Sequence, residues 1–198
     1  HHQGGDAGLY DLLLHARDRA YRMAELDALV RGAELSIVGL IEPARYDPAT
    51  YLNDPTLLKT LAGLTLIERA GFAEALAGNI TKHVAYVTWA GRAASCVARI
   101  EGPDTIPRLR EADGAKLAAG LQSGGMLKAD LEGYEWRAAL PRLAGPIVSR
   151  IDGRTSLGQI YAALRAMDSA LSWENFLSQF EALYATMSAA NVMLLRNA

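Results

Sequence analysis

Leu35-Ser36-Ile37-Val38-Gly39-Leu40-Ile41 is a short apolar run carrying three β-branched residues, Ile37, Val38 and Ile41, and it reads as a mostly buried strand. Upstream, Leu9, Leu12 and Leu13 predict a short helix. Met23, Leu26, Leu29 and Val30 fall on one helical face before Gly32 ends the run. Downstream, Asp54-Pro55 is a helix start, because Asp caps the free N–H groups and Pro suits the first helical position. Thr65-x-x-Glu68 is a capping box that opens a further helix through Leu76. Val84-Ala85-Tyr86-Val87-Thr88-Trp89 then alternates as a second strand, closed by Gly91. The order is helix, strand, helical insert, strand.

Beyond residue 91 the texture changes, with Gly102-Pro103, Pro107, Gly114, Gly124-Gly125 and Gly133 breaking the chain into short pieces. A boundary near 91–95 divides the chain into residues 1–91 and 92–198. Within the second part, Val97–Ile100 is expected as a short strand, Asp113–Leu121 as a helix and Tyr134–Leu140 as an extended piece. Ser156-x-x-Gln159 is a second capping box, for a helix carrying Leu157, Ile160, Tyr161 and Leu164. Ser172 caps a longer helix with Trp173, Phe176, Leu177, Phe180, Leu183, Tyr184 and Met187 at helical spacing. Val192–Leu195 follows as a strand. Helix, helix, strand over residues 142–198 predicts a small winged-helix-like unit. The fold class is α+β and mostly helical, with no internal repeat.

Composition narrows the function. With 198 residues, 51% of them apolar, the chain can bury a substantial core. Its formal net charge of −2 is scattered and supplies no field to gather nucleic acid or an anionic membrane. The aromatic helix has no Lys or Arg between Arg165 and Arg196, so the winged-helix-like unit lacks phosphate contacts. No apolar run approaches the roughly 18 residues of a membrane span. The single Cys96 fits a reducing, cytoplasmic setting and an inert core or strand position. No His-x-His, His-x-x-x-His or Gly-x-Ser-x-Gly pattern points to a metal centre or a serine nucleophile.

Three polar clusters interrupt the first part: His15-Ala16-Arg17-Asp18-Arg19-Ala20-Tyr21, Glu42-Pro43-Ala44-Arg45-Tyr46-Asp47-Pro48, and Leu76-Ala77-Gly78-Asn79-Ile80-Thr81-Lys82-His83. Together with the strand order, and with Gly5-Asp6-Ala7-Gly8-Leu9-Tyr10-Asp11-Leu12-Leu13-Leu14, this wording resembles the C-terminal portion of bacterial class I S-adenosylmethionine-dependent methyltransferases. The resemblance covers roughly residues 4–90 well and the remainder loosely. It implies a final strand inserted antiparallel beside its predecessor, an S-adenosylmethionine-binding domain upstream as partner, and an accessory C-terminal domain. It further implies a methyl acceptor bound near the first cluster, with His15 and Asp18 as catalytic residues and Arg19, Tyr21, Glu42, Arg45 and Tyr46 on the substrate side. The family's Gly-rich donor-binding turn, between a strand and a helix, does not occur here, so this chain alone is not expected to bind the donor.

Plainer readings stand beside each cluster. Asp18 and Arg19 can form a surface pair while His15 ends a helix. Glu42 and Arg45 can brace a turn between two prolines. Lys82 and His83 can meet a helix dipole near Gly78-Asn79. The aromatic helix is expected to pack in its own core, with a homodimer interface as the alternative, and the alternative to methyl transfer is a non-catalytic interaction module.

Overall fold

The structure is a computed structural model and describes residues 19–121 and 125–196. Helix α1 (Met23–Gly32) leads into strand β1 (Leu35–Leu40), then into two 3-10 turns, Pro43–Tyr46 and Pro48–Thr50. Helices α2 (Pro55–Leu61) and α3 (Leu66–Ala77) form the insert, and β2 (Ala85–Trp89) returns antiparallel to β1. The local chemistry of the sequence explains these limits. Asp54 accepts from the N–H groups of Thr56 and Leu57, and Thr65 and Glu68 satisfy each other's backbone across the first turn of α3. Gly78 ends α3 at φ 67°, a conformation that costs glycine little.

The β1–β2 ladder runs from Leu35 opposite Trp89 to Leu40 opposite Ala85, with an irregularity between Ile37 and Gly39. Met23, Leu40, Tyr46 and Ala70 form a small buried cluster beneath it, joined by Ile37, Ile67, Ile80 and Ala85. The ladder leaves Tyr86, Val87 and Trp89 exposed, and the last of these shows 61% of its surface.

The second half is built around a larger core. Strand β3 (Ile106–Leu109), helix α4 (Gly114–Gly120), the hairpin β4 (Met126–Asp130) and β5 (Glu135–Ala139), helices α5 (Ala144–Val148), α6 (Leu157–Arg165) and α7 (Trp173–Ala189), and strand β6 (Met193–Arg196) follow in order. Fully buried Phe176, Phe180, Leu183 and Met187 line one face of α7 and pack on Leu157, Ile160, Ile147 and Val148. Trp173 stands at the start of α7 with its ring 5.3 Å from Tyr161 and 5.5 Å from Phe176. Burying this apolar face supplies most of the helix's stability, since each Phe contributes about 1.5–3 kcal/mol on leaving water.

The α+β class is observed, and all three sheets among the described residues are antiparallel pairs: β1–β2, β3–β6 and β4–β5. The strand expected at Val97–Ile100 is absent. That stretch is irregular and finds no ladder, because β3 takes β6 as its partner instead. Cys96 is exposed and lies in this irregular stretch, contrary to the expected core or strand position. The partner of β6 therefore sits at 106–109, outside the 142–198 unit that the helix order alone outlined. No helix among the described residues is long and apolar enough to cross a membrane.

Candidate functional site

Residues from three separate segments line a polar cleft of about 740 Å³: Arg19–Arg22, Glu25 and Leu26 around the start of α1, Glu74 on α3, and Ile80–His83 on the loop into β2. Arg19 reaches Glu25 at 2.7 Å and lies over the Tyr21 ring, 4.9 Å from its centre. Glu25 also accepts from the Arg22 backbone N–H at 3.0 Å, and that bond, followed by the Arg19 contact, holds its carboxyl below the usual carboxylate range. Two of the expected substrate-side residues, Arg19 and Tyr21, thus stand on the cleft wall. His15 and Asp18 lie outside the described residues.

Behind the cleft runs a line of hydrogen-bonding groups. Glu74 Oε2 accepts from the Met23 backbone N–H at 2.9 Å, tying α3 to the first turn of α1. Its other oxygen lies 3.5 Å from His83 Nε2, and His83 Nδ1 lies 3.2 Å from the Tyr46 hydroxyl. Tyr46 also donates to the Lys82 carbonyl at 3.4 Å. The His83 side chain is only 7% exposed. Burial, partly opposed by neighbouring Arg45, pushes the Tyr46 phenol upward, so it stays protonated and able to donate.

Glu42, Arg45 and Tyr46, the other expected substrate-side residues, do not line this cleft. Arg45 and Tyr46 are both buried, at 4% exposure, and their partners belong to the protein. Arg45 Nη2 donates to Glu132 Oε2 at 2.6 Å, with Glu42 on its other side at 3.7 Å, and Glu132 Oε1 meets Lys82 Nζ at 3.1 Å. Glu132 sits in the β4–β5 hairpin turn, where Glu132 and Gly133 have φ of 52° and 89°. Positive φ at both central residues is the two-residue type I′ pattern, in which Asn is favoured over Glu. Glu42 is also left-handed, at φ 56°. Both carboxylates that grip Arg45 therefore sit on backbone that costs a non-glycine residue about 1 kcal/mol or more. The Lys82 contact, ahead of the two Arg45 contributions, keeps the Glu132 carboxyl below its usual range.

The same hairpin makes two more anchors. Tyr134 donates to the Thr50 carbonyl at 2.6 Å, and its ring meets Tyr51 edge-on at 5.1 Å. Tyr51 in turn donates to the Arg45 carbonyl at 3.0 Å. The second half of the chain thereby braces the back of the cleft in the first.

Two contributors escape a reading of the sequence alone. Glu74 lies in the last turn of α3 with no local signal, and Glu132 acts across a separation of 87 positions from Arg45. His83, named in the third polar cluster and expected near the end of that helix, sets its ring against the Glu74 side chain and the Tyr46 hydroxyl.

A second, more apolar cavity of about 540 Å³ lies between the β1–β2 pair and the α7–β6 corner, with Tyr86, Val87, Cys96, Tyr184 and Met193 on its walls. No group of three His, Cys, Asp or Glu side chains among the described residues is placed to hold a metal ion. Compared with models of known protein families and with curated proteins, the chain matches none.

Proposed function

We propose that this chain is the C-terminal, acceptor-side portion of a cytoplasmic class I S-adenosylmethionine-dependent methyltransferase, with a winged-helix-like accessory unit in its second half. The observation that carries the reading is the convergence of Arg19–Glu25 with Lys82-His83, far apart in sequence, on one cleft beside an antiparallel strand pair. In that architecture the segment after the fifth strand and the loop into the last strand both border the acceptor pocket, and β1–β2 supply the last two strands. The antiparallel pairing and the apolar, exposed faces of β2 suit a strand that continues a larger sheet covered on both sides.

The described residues do not fit the methyl donor. None of the positive-φ glycines, Gly78, Gly102, Gly133 or Gly153, links a strand to a following helix in the manner of a donor-binding turn. Donor binding therefore belongs to the upstream partner domain, and the role of this chain is to hold an acceptor in place and manage its proton. The long helix of the accessory unit carries no cation for phosphate, which disfavours a DNA-reading role for it.

The test is donor binding by calorimetry with two proteins, this chain and the longer natural protein that contains it. Binding by the longer protein and not by this chain is the expected result. A longer protein with no affinity for S-adenosylmethionine overturns the reading. A second reading, a homodimerising interaction module, draws on exposed Tyr86, Val87 and Trp89, and sedimentation at micromolar concentration decides it.

A further inference from the structure

The apolar cavity between the β1–β2 pair and the α7–β6 corner shares no lining residue with the polar cleft and has a volume of about 540 Å³. That size lies within the range of small-molecule sites, which favour junctions between parts of a chain. One wall comes from the first half, with Val38 on β1 and Tyr86 and Val87 on β2; the other comes from the second half, with Tyr184 on α7 and Met193 on β6. Among the described residues no Asp, Glu, Lys, Arg or His lines it. An ionised ligand would leave water there without meeting a counter-ion, so the cavity suits an uncharged one.

Polar side chains without partners of their own break the apolar lining. Asn191, on the turn from α7 into β6, is only 7% exposed. Its backbone N–H donates to the Ser188 carbonyl at 2.8 Å, while its side-chain amide meets no hydrogen-bonding group among the described residues. No buried side-chain N or O atom among the described residues is sealed away unpaired, so the amide keeps an opening, and the space beside it is the cavity. The backbone at φ 56° favours Gly or Asn at this position. Gly alone would meet that demand, so backbone preference leaves a buried and unpaired amide unexplained. The Tyr184 hydroxyl likewise has no partner among the described residues, and burial pushes its phenol upward, so it stays a donor. Water that pairs with Asn191 has largely apolar walls around it. A ligand that repeats its hydrogen bonds and covers those walls gains on displacing it.

We infer that this cavity is a binding site for an uncharged small molecule with an aryl-bearing apolar body and a primary carboxamide or lactam end. Asn191 offers a donor and an acceptor from one planar group, and a carboxamide presents the complementary acceptor and donor, so the two pair edge to edge. Tyr184 supplies a further donor, and with Tyr86 it gives the walls aromatic surface for an aryl group. Binding is non-covalent and independent of methyl transfer.

The experiment is NMR titration of this chain with three matched probes: hydrocinnamamide, the anion hydrocinnamate, and the methyl ketone benzylacetone, which keeps the carbonyl and loses the N–H. The Asn191 side-chain NH₂ signals are assigned by their loss in Asn191→Gly, a change that suits the left-handed backbone. Hydrocinnamamide should shift those signals saturably with a Kd of about 1 mM or tighter, and hydrocinnamate should bind at least about tenfold more weakly. Asn191→Gly should weaken hydrocinnamamide about tenfold and remove its advantage over benzylacetone, and Tyr184→Phe should weaken it several-fold. Hydrocinnamate binding as tightly as the amide overturns the inference, as does an Asn191 signal unmoved by hydrocinnamamide or an affinity unchanged in Asn191→Gly. A dimer at micromolar concentration that excludes hydrocinnamamide gives the cavity to a second copy and also overturns it.

Discussion

Replacing Glu132 by Gln tests whether the β4–β5 hairpin holds the back of the cleft. The Arg45 side chain is only 5% exposed and has its closest partner in Glu132 at 2.6 Å; after the change, Glu42 at 3.7 Å is its remaining carboxylate. Breaking a fully buried ion pair by removing one member costs about 3–5 kcal/mol. Glu132 is 32% exposed, and the amide of the substituted side chain still offers a carbonyl oxygen to Arg45, so roughly half of that applies, about 2 kcal/mol. The contact to Lys82, which is 67% exposed, adds well under about 1 kcal/mol. For a chain of this length about 2 kcal/mol lowers Tm by roughly 4–8 °C. Differential scanning calorimetry at neutral pH reads this directly.

The pH dependence has a definite sign. The folded protein holds the Glu132 carboxyl below its free value of 4.5, so its contribution is fully present above that value and fades as pH falls through the folded pKa. The gap in Tm between the natural chain and Glu132→Gln should therefore narrow below about pH 4.5. A Gln variant that melts within about 1 °C of the natural chain at neutral pH refutes the latch.

Two further outcomes follow from the packing. Gly114→Ala places a Cβ 2.5 Å from the Val148 carbonyl oxygen and 2.6 Å from that of Ile151, both backbone atoms that cannot step aside; a loss of about 3 kcal/mol or failure to fold is expected in urea titration. Ser172→Ala removes the hydroxyl that accepts from the Asn175 N–H, and should cost about 1 kcal/mol in the same titration, with cleft residues undisturbed in NMR.

What could be read from the sequence was the local chemistry. Asp54-Pro55, Thr65 with Glu68, Ser156 with Gln159, and Ser172 all announce helix starts that the structure realises, because a cap is completed within three residues. The strands were harder. Ile106–Leu109 contains Pro107, which argues against a strand unless the partner is known, and that partner, β6, is almost the whole domain away. The β4–β5 turn hides behind Glu132, a residue that turn chemistry does not favour. Of the site, the cleft-facing Arg19 and Tyr21 were legible as a polar cluster. Arg45 and Tyr46 were also conspicuous as polar residues, but their burial gives them a supporting position behind the cleft. Glu132 reaches Arg45 and Lys82 only through long-range folding, and no local pattern marks the approach of Glu74 to His83.

The tryptophans are distributed so that each reports on a different part of the molecule: Trp89 on the exposed end of β2, Trp136 on the hairpin strand β5, and Trp173 against the aromatic face of α7. Their emission should differ accordingly, with Trp89 red-shifted by water and Trp173 coupled to nearby Tyr161. With one indole kept at a time, intrinsic fluorescence separates opening of the strand pair, release of the hairpin and loss of the helical core, three events that a single melting curve would merge.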